Sequence, residues 1–177
     1  MRIISGQFKS RRITAPKNLP VRPTTDRAKE ALFNILGHQY YLDEIAVLDL
    51  FAGIGSITFE FASRGTTNIT TVDKHRNCIE FIKKTAEDLQ IEVNLINQDV
   101  LEYLEKTTNS YDIVFADPPY DFSEETFISI IDSVFDNEIL TEKGIFILEH
   151  SKHTDLSTHK KFDNSRTYGH SEFSWFS

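Results

Sequence analysis

The chain has 177 residues, 40% of them hydrophobic and 26% charged, which is enough to bury the core of one folded domain. Its single cysteine, Cys78, excludes an intramolecular disulfide and favours a reducing, cytoplasmic location. No apolar run approaches the ~18–20 residues that span a bilayer, and the 12% aromatic content excludes a disordered chain. We therefore expect a cytoplasmic domain without membrane contact.

The net charge of −8 is distributed unevenly along the chain. Residues 1–40 carry a net charge of +6, and the rest carry −14. A basic end on an acidic body favours contact with a polyanion through one edge, although charge alone leaves a solvated terminus without a partner equally open. Apolar residues flank Ser5-Gly6-Gln7 and predict a hairpin. We therefore divide the chain into a basic arm, residues 1–22, and a main domain, residues 23–177.

Hydrophobic periodicity in the main domain predicts strands that alternate with helices. A first helix is expected to begin at Thr25 or Asp26 and to end at Gly37. Strands are predicted at 46–51, 69–73, 93–96, 113–116 and 145–149, with helical patterns between them and a terminal hairpin formed by 166–168 and 172–176. This alternation predicts an α/β, Rossmann-like architecture with a mostly parallel sheet that is covered on both faces.

Sheets of this kind bind ligands beyond the carboxyl ends of their strands. The first strand leads into Gly53-Ile54-Gly55, where glycine lets the backbone approach a ligand closely. Asp73 follows Gly53 by 20 residues, the spacing at which a carboxylate binds ribose hydroxyls. Thr58 replaces the third glycine of the dinucleotide fingerprint. The pattern suits either a nicotinamide cofactor or S-adenosylmethionine, and a tight turn followed by a chance aspartate also remains open.

The fourth strand ends in Asp117-Pro118-Pro119-Tyr120. Two prolines fix an extended backbone and remove two N–H donors, so the groups left to face a ligand are acceptors: the Asp117 carboxylate and the Pro118 carbonyl. Two acceptors on a rigid arch match the two hydrogens of a planar amino group, whose lone pair would then be free to attack an electrophilic methyl group. Tyr120 offers a flat face to an extruded base. The plain alternative is a Pro-Pro turn that only ends the strand.

Four motifs together resemble a known family. They are Arg22-Pro23-Thr24-Thr25-Asp26-Arg27, Leu48-Asp49-Leu50-Phe51-Ala52-Gly53, Asp117-Pro118-Pro119-Tyr120 and Arg166-Thr167-Tyr168-Gly169-His170. With them the chain resembles the RsmD family of 16S ribosomal RNA guanine-N2 methyltransferases. The resemblance implies a seven-stranded methyltransferase fold, S-adenosylmethionine as cofactor, and transfer of a methyl group to the N2 amine of a guanine. It also implies a partner: 16S ribosomal RNA within a 30S particle or an assembly intermediate, bound by a monomer.

The same resemblance implies roles for individual residues. Asp49, Phe51 and Gly53 would line the methionine side of the cofactor, Asp73 its ribose and Asp99 its adenine amino group. The remaining residues that we assign to the cofactor are Thr25, Arg27 and Gly55. The target guanine would be held by Asp117, Pro118, Pro119 and Tyr120, and the RNA would be contacted by Arg11, Arg12 and Arg22. The chain departs from the family pattern at Ile54 and Thr58, which alter the lining of the glycine turn.

Other functions stay open from the residues alone. An amino-group methyltransferase for DNA adenine or cytosine, or for transfer RNA guanine, would use the same Asp-Pro-Pro-Tyr chemistry. A non-catalytic RNA-binding assembly factor is a rival of a different class, and a nicotinamide oxidoreductase would explain Gly53 and Asp73 but not the acceptor arch. We interpret His150 and His153 as surface histidines rather than metal ligands, and we expect Glu149 either to approach the site or to cap its strand.

Overall fold

The fold is given by a computed structural model that describes residues 1–16, 19 and 24–177. The helices are α1 (Asp26–Gln39), α2 (Ser56–Ser63), α3 (Arg76–Leu89), α4 (Val100–Lys106) and α5 (Glu124–Asp136). The strands are β1 (Ala46–Leu50), β2 (Asn68–Asp73), β3 (Asn94–Asn97), β4 (Tyr111–Ala116), β5 (Leu140–Ser151), β6 (Phe162–Tyr168) and β7 (Ser171–Phe176). Within the described ranges, no helix is both long enough and apolar enough to cross a membrane.

The strands form one seven-stranded sheet in the order β3-β2-β1-β4-β5-β7-β6. Strands β1 to β5 are parallel to their neighbours, whereas β7 is antiparallel to β5 and β6 is antiparallel to β7. The order reverses between β1 and β4, the place where open α/β sheets bind ligands. The predicted Rossmann-like, mostly parallel sheet is confirmed.

Helices cover both faces of the sheet, and the side chains of β1 show why. Leu48 and Leu50 point into a core shared with α4 and α5, whereas Val47 points into a second core shared with α1 and α2. Successive strand residues face opposite sides, so a strand buried on both faces must be almost continuously apolar. The run from Ala46 to Leu50 meets this requirement except at Asp49.

Several element boundaries differ from the sequence prediction: β4 begins at Tyr111 rather than 113, β6 begins at Phe162 rather than 166, and α1 and β5 are also longer than predicted. The first helix continues through Gly37 to Gln39, and Tyr40 N–H donates to Leu36 O at 2.8 Å. A Cβ at Gly37 would meet no neighbouring atom, so this exposed glycine neither breaks nor caps the helix. Strand β5 is longer than predicted in both directions, because it pairs with β4 from Leu140 onward and with β7 as far as Ser151.

The N-terminal segment is a hairpin that packs against the main domain. Its two halves are joined by an antiparallel bridge between Arg2 and Arg12. Ile3 and Ile13 are buried in a cluster shared with α2 and α3. At the tip, Gly6 has a φ of 83°, and a Cβ there would lie 1.8 Å from the carbonyl oxygen of Ser63. The predicted hairpin extension is therefore present, and its glycine permits close approach to the end of α2.

A buried ion pair fixes the base of this hairpin. Lys29 Nζ donates to Arg2 O at 2.7 Å and lies 3.1 Å from Glu60 Oε1. The same Glu60 oxygen accepts from Ile4 N–H at 2.8 Å, and the other pairs with Arg64. Lys29 is therefore not available to contact a polyanion. The net charge of +6 for residues 1–40 thus overstates the positive charge that this region exposes.

Candidate active site

The turn between β1 and α2 has an unusual backbone. Phe51, Gly53 and Gly55 have positive φ values of 56°, 55° and 74°. A Cβ at Gly55 would lie 2.8 Å from a ring carbon of Phe59, so this position requires glycine on two grounds. Phe51 adopts a left-handed conformation that is costly for a residue with a side chain. The result is a compact loop directly beyond the end of β1.

Asp73 links this turn to the end of β2. Its Oδ2 accepts from Gly53 N–H at 2.8 Å, and its Oδ1 accepts from His75 N–H at 2.7 Å. The spacing of 20 residues thus brings Gly53 and Asp73 into direct contact. A carboxylate has about four acceptor positions, so these two bonds leave capacity for hydroxyl groups of a ligand.

Asp49 lies buried beneath the same turn. Its Oδ2 accepts from both the backbone N–H and the hydroxyl of Thr58, at 2.9 and 2.5 Å. Burial raises the pKa of Asp49 to about 7, although the bonds from Thr58 oppose this shift. Thr58 therefore has a structural role at the position where the dinucleotide fingerprint has glycine: it holds Asp49 and also bonds to Thr71 at 2.9 Å.

Two helix caps lie at the rim of the same region. Asp99 caps α4, with its Oδ1 accepting from Leu101 N–H at 3.0 Å. Thr25 caps α1, with its hydroxyl accepting from Ala28 N–H at 3.3 Å. Both side chains use only part of their acceptor capacity in capping, so both retain capacity for a ligand.

The segment after β4 passes close to the end of β1. Asp117 N–H donates to Leu50 O at 3.4 Å, which extends the pairing of these two strands by one residue. Pro118 is buried, Pro119 is exposed and Tyr120 is half-buried.

The Tyr120 hydroxyl donates to Glu149 Oε1 at 3.0 Å and lies 2.6 Å from Ser171 Oγ. Burial, with Glu149 and Asp117 nearby, raises the pKa of Tyr120 well above its usual range, so the phenol keeps its proton.

These segments enclose a single cavity of about 330 Å³ at the carboxyl edge of the sheet. The sequence-predicted residues that line it are Thr25, Asp49, Phe51, Gly53, Asp73, Asp99, Asp117, Pro118, Pro119 and Tyr120. Gly55 lies behind the turn, and Arg27 is exposed on α1 outside the cavity wall. Arg11 and Arg12 are exposed on the hairpin, and Arg22 falls outside the described residues.

The charge of the cavity discriminates between the two cofactors that the sequence left open. Its described wall contains five carboxyl groups but only one lysine, Lys74. Such a wall attracts a cation and repels the two phosphates of a nicotinamide dinucleotide. S-adenosylmethionine carries a positive sulfonium and an ammonium group, and it has no phosphate.

Ser56 provides a second test of the cofactor. Its hydroxyl is the one buried side-chain polar atom without a hydrogen-bond partner in the described part of the chain, and Ser56 lines the cavity as the first residue of α2. A helix N-terminus presents unpaired N–H groups that favour a carboxylate. The hydroxyl and the helix end together suit the carboxylate of an amino-acid moiety. The residues present therefore fit S-adenosylmethionine.

Comparison with known proteins agrees with this geometry. All 177 residues match the family model described as "Conserved hypothetical protein 95". The Ribosomal RNA small subunit methyltransferase D of Haemophilus influenzae is 33% identical over 164 residues, which cover 89% of this chain and 82% of that protein. The chain belongs to the RsmD family.

Solved structures place this RsmD family member among methyltransferase folds. A protein of Escherichia coli, solved as "Putative methyltransferase yhhF", superposes with a TM-score of 0.87 at 25% identity, over 99% of this chain and 96% of the other. The magnesium protoporphyrin IX methyltransferase of Synechocystis, solved with bound S-adenosylmethionine, shares the fold with a TM-score of 0.65 at 13% identity, over 84% and 77% of the two chains. These likenesses show the fold of this RsmD family member, and the lining of its cavity fits S-adenosylmethionine by its own chemistry.

The structure also identifies residues that the sequence left undecided or interpreted wrongly. Glu149 lines the cavity and accepts hydrogen bonds from Tyr120 and from Thr24.

His150 is not at the surface: it is buried, and its ring nitrogens lie 2.8 Å from Ser174 Oγ and 2.9 Å from Ser151 O. Its position in a strand that lies between two others explains this burial, which lowers its pKa. In the described ranges, no cluster of three potential metal ligands is present.

Proposed function

We propose that this protein transfers a methyl group from S-adenosylmethionine to the exocyclic N2 amine of a guanine in 16S ribosomal RNA. One observation carries the proposal: Asp117 and Pro118 share a single cavity with the Gly53 turn and Asp73. An acceptor arch and a nucleoside-type cofactor site in one cavity are what methylation of an amino group requires. We place the reaction in the cytoplasm, on a 30S particle or an assembly intermediate, with the enzyme acting as a monomer.

The cofactor half of the cavity would be formed by the ends of β1, β2 and β3. S-adenosylmethionine, when bound, supplies a methyl group that is already activated by its attachment to a positively charged sulfur. Asp49, Phe51 and Gly53 would hold the methionine side. Asp73 would bind the ribose hydroxyls, and Asp99 the adenine amino group.

The other half would hold the target base. The Asp117 carboxylate and the Pro118 carbonyl would accept the two hydrogens of the amine, which directs its lone pair towards the cofactor side. Both groups would also stabilise the positive charge that develops on the nitrogen. Once the nitrogen is alkylated its proton is acidic, so Asp117 or solvent would remove it. Alignment of the reacting groups supplies several kcal/mol of barrier lowering, so a strong base is not required.

The charge of the wall favours guanine over adenine. Guanine presents its N1–H and its N2 amino group side by side, so this part of its Watson–Crick edge offers two neighbouring donors. Adenine presents its amino group beside an acceptor nitrogen, which an acidic wall would repel. The Asp117 carboxylate on the described wall is an acceptor, and it therefore complements these two donor groups of guanine.

The exposed Arg11 and Arg12 would contact the RNA backbone, together with Arg22. Both described arginines lie on a hairpin that is fixed to the main domain rather than on a free tail. A rigid basic surface on the same domain as the acidic cavity would hold the phosphate backbone while a single base enters the site.

Incubation with labelled cofactor tests this function. Small-subunit particles that lack base methylation, and naked 16S RNA in parallel, are incubated with the protein, digested and examined as nucleosides by mass spectrometry. We expect N2-methylguanosine from the wild-type protein and none from Asp117→Ala. Label in a methylated adenine or cytosine would indicate a different base. Absence of label in both substrates, with intact cofactor binding, would favour a non-catalytic assembly factor.

A further inference from the structure

Glu149 is a buried carboxylate to which the reaction described above gives no direct step. It lies near the end of β5, is 2% exposed and lines the cavity. A charged side chain is rarely buried so completely unless hydrogen bonds offset the loss of water. Its contacts therefore indicate what it does.

Those contacts join segments that are distant in the chain. Glu149 Oε1 accepts from the Tyr120 hydroxyl at 3.0 Å, and Glu149 Oε2 accepts from the Thr24 hydroxyl at 2.9 Å. Thr24 directly precedes the cap of α1, and Tyr120 ends the Asp-Pro-Pro-Tyr segment. The Glu149 carboxylate thus bonds both to the segment that would hold the target base and to the residue that precedes the cap of α1.

The directions of these bonds follow from the number of protons. The Tyr120 hydroxyl has a single proton, which it donates to Glu149 Oε1. The Tyr120 oxygen, 2.6 Å from Ser171 Oγ, is therefore left to accept from the serine hydroxyl. Held at its oxygen by one acceptor and one donor, the Tyr120 ring has a defined position in the cavity wall.

We infer that Glu149 is a positioning residue that acts through Tyr120, fixing the position of the ring on which the extruded guanine stacks. This inference rests on the proposed function, because it needs a base against Tyr120. Glu149 fixes the ring before RNA arrives, and its bond to Thr24 keeps the start of α1 in register with that ring. The ring of Tyr120 is therefore already in position when the substrate binds, so the substrate does not have to rearrange the site.

The kinetic test compares Glu149→Ala with Glu149→Gln. A glutamine keeps a carbonyl that accepts from Tyr120, and its amide group can donate to Thr24, so it preserves the ring orientation. Alanine preserves neither bond. Misplacement by about 1 Å costs about 10²-fold in rate. We expect kcat to fall about 10²-fold in Glu149→Ala, but only a few-fold in Glu149→Gln, with unchanged cofactor affinity in both.

Tyr120→Phe provides the matched control, because it keeps the ring and removes only the hydroxyl. If Glu149 acts through that hydroxyl, Tyr120→Phe lowers kcat as much as Glu149→Ala does, and the double variant is no slower than either. Should Glu149→Ala fail to fold, Tyr120→Phe and Glu149→Gln still give opposite expected results. Additive losses in the double variant would overturn the inference.

A measurement without substrate separates this inference from the proposed function. The six tyrosines are labelled on the ring with carbon-13, and the Tyr120 resonance is assigned by its loss in Tyr120→Phe. We expect that resonance to shift or broaden in Glu149→Ala and to stay in place in Glu149→Gln. If wild-type protein makes no N2-methylguanosine, the proposed function fails. If wild type is active but Glu149→Ala keeps its kcat, or Glu149→Gln falls equally far, the positioning role fails alone.

Discussion

Lys29 Nζ lies 3.1 Å from Glu60 Oε1, and the two side chains are 1% and 0% exposed. The pair connects α1 to α2, and each member also bonds to the backbone of the N-terminal hairpin, at Arg2 and Ile4. The hairpin is therefore held by charges that water cannot reach. The pair therefore fixes the orientation of the hairpin together with the buried Ile3 and Ile13.

Removing one member should release the hairpin. Lys29→Met leaves the Glu60 carboxylate buried with one cation fewer, a change that costs about 3–5 kcal/mol. We expect urea unfolding to show that loss and hydrogen exchange at the Ile4 amide to accelerate. Lys84→Met, an exposed lysine on α3, is the control and should change neither quantity. Equal stability of the two variants would show that the buried pair does not anchor the hairpin.

The acceptor role of Asp117 predicts a separation of binding from catalysis. In Asp117→Ala the cofactor half of the cavity keeps its residues, while the amine loses one acceptor. We expect the methylation rate to fall at least about 10²-fold, with cofactor affinity by calorimetry within a few-fold of wild type. Asp121→Ala removes an exposed carboxylate four residues later and should leave both unchanged. Full activity in Asp117→Ala would contradict the acceptor role.

Arg11 and Arg12 should govern how RNA binding depends on salt. For each phosphate that the protein no longer neutralises, the slope of log affinity against log salt becomes shallower by about 0.7–0.9. We expect Arg11→Glu with Arg12→Glu to flatten the slope measured on 16S RNA by at least that amount. The matched control reverses Lys106, at the end of α4, and Lys160, just before β6, both of which are exposed. An unaltered slope in the arginine variant would mean that RNA is bound elsewhere.

Asp49 should make stability depend on pH. Burial raises its pKa to about 7 in the folded protein, above its ordinary value of 3.8. The folded state therefore holds this proton more tightly, so the stabilisation is complete below about pH 4 and is lost as the pH rises through 7. We expect the free energy of unfolding without cofactor to fall by roughly 3 kcal/mol between pH 5 and 8, relative to Asp49→Asn. Parallel pH profiles for the two proteins would contradict a protonated Asp49.

The fold could be predicted where the hydrophobic pattern of a segment agrees with the position of that segment in the sheet. The run 46–50 is apolar because both faces of β1 are covered, and Asp73 and Gly53 meet because parallel strands end at one edge. The start of β5 was missed because Thr141, Glu142 and Lys143 are polar, and only pairing with β4 beyond them shows that the strand begins at Leu140.

Burial of charged groups was harder to predict. Lys29 was counted with the exposed cations, although it stands three and four residues before the buried Leu32 and Phe33, a spacing that indicates the inner face of α1. Glu149 could not be assigned from its own surroundings in sequence. Two of its hydrogen-bond donors, Thr24, 125 residues earlier, and Tyr120, are brought to it only by the three-dimensional fold.

Strand β6 ends the sheet, so one side of its backbone lies at an open edge. Exposed edges of this kind can recruit a strand from another molecule and begin aggregation. Here the residues around that edge include Asp163 and Arg166 as well as Lys160, all exposed. A strand from another molecule could pair with this edge only after these positively and negatively charged side chains had lost their bound water. The charged side chains of this border therefore oppose the addition of a second sheet at β6.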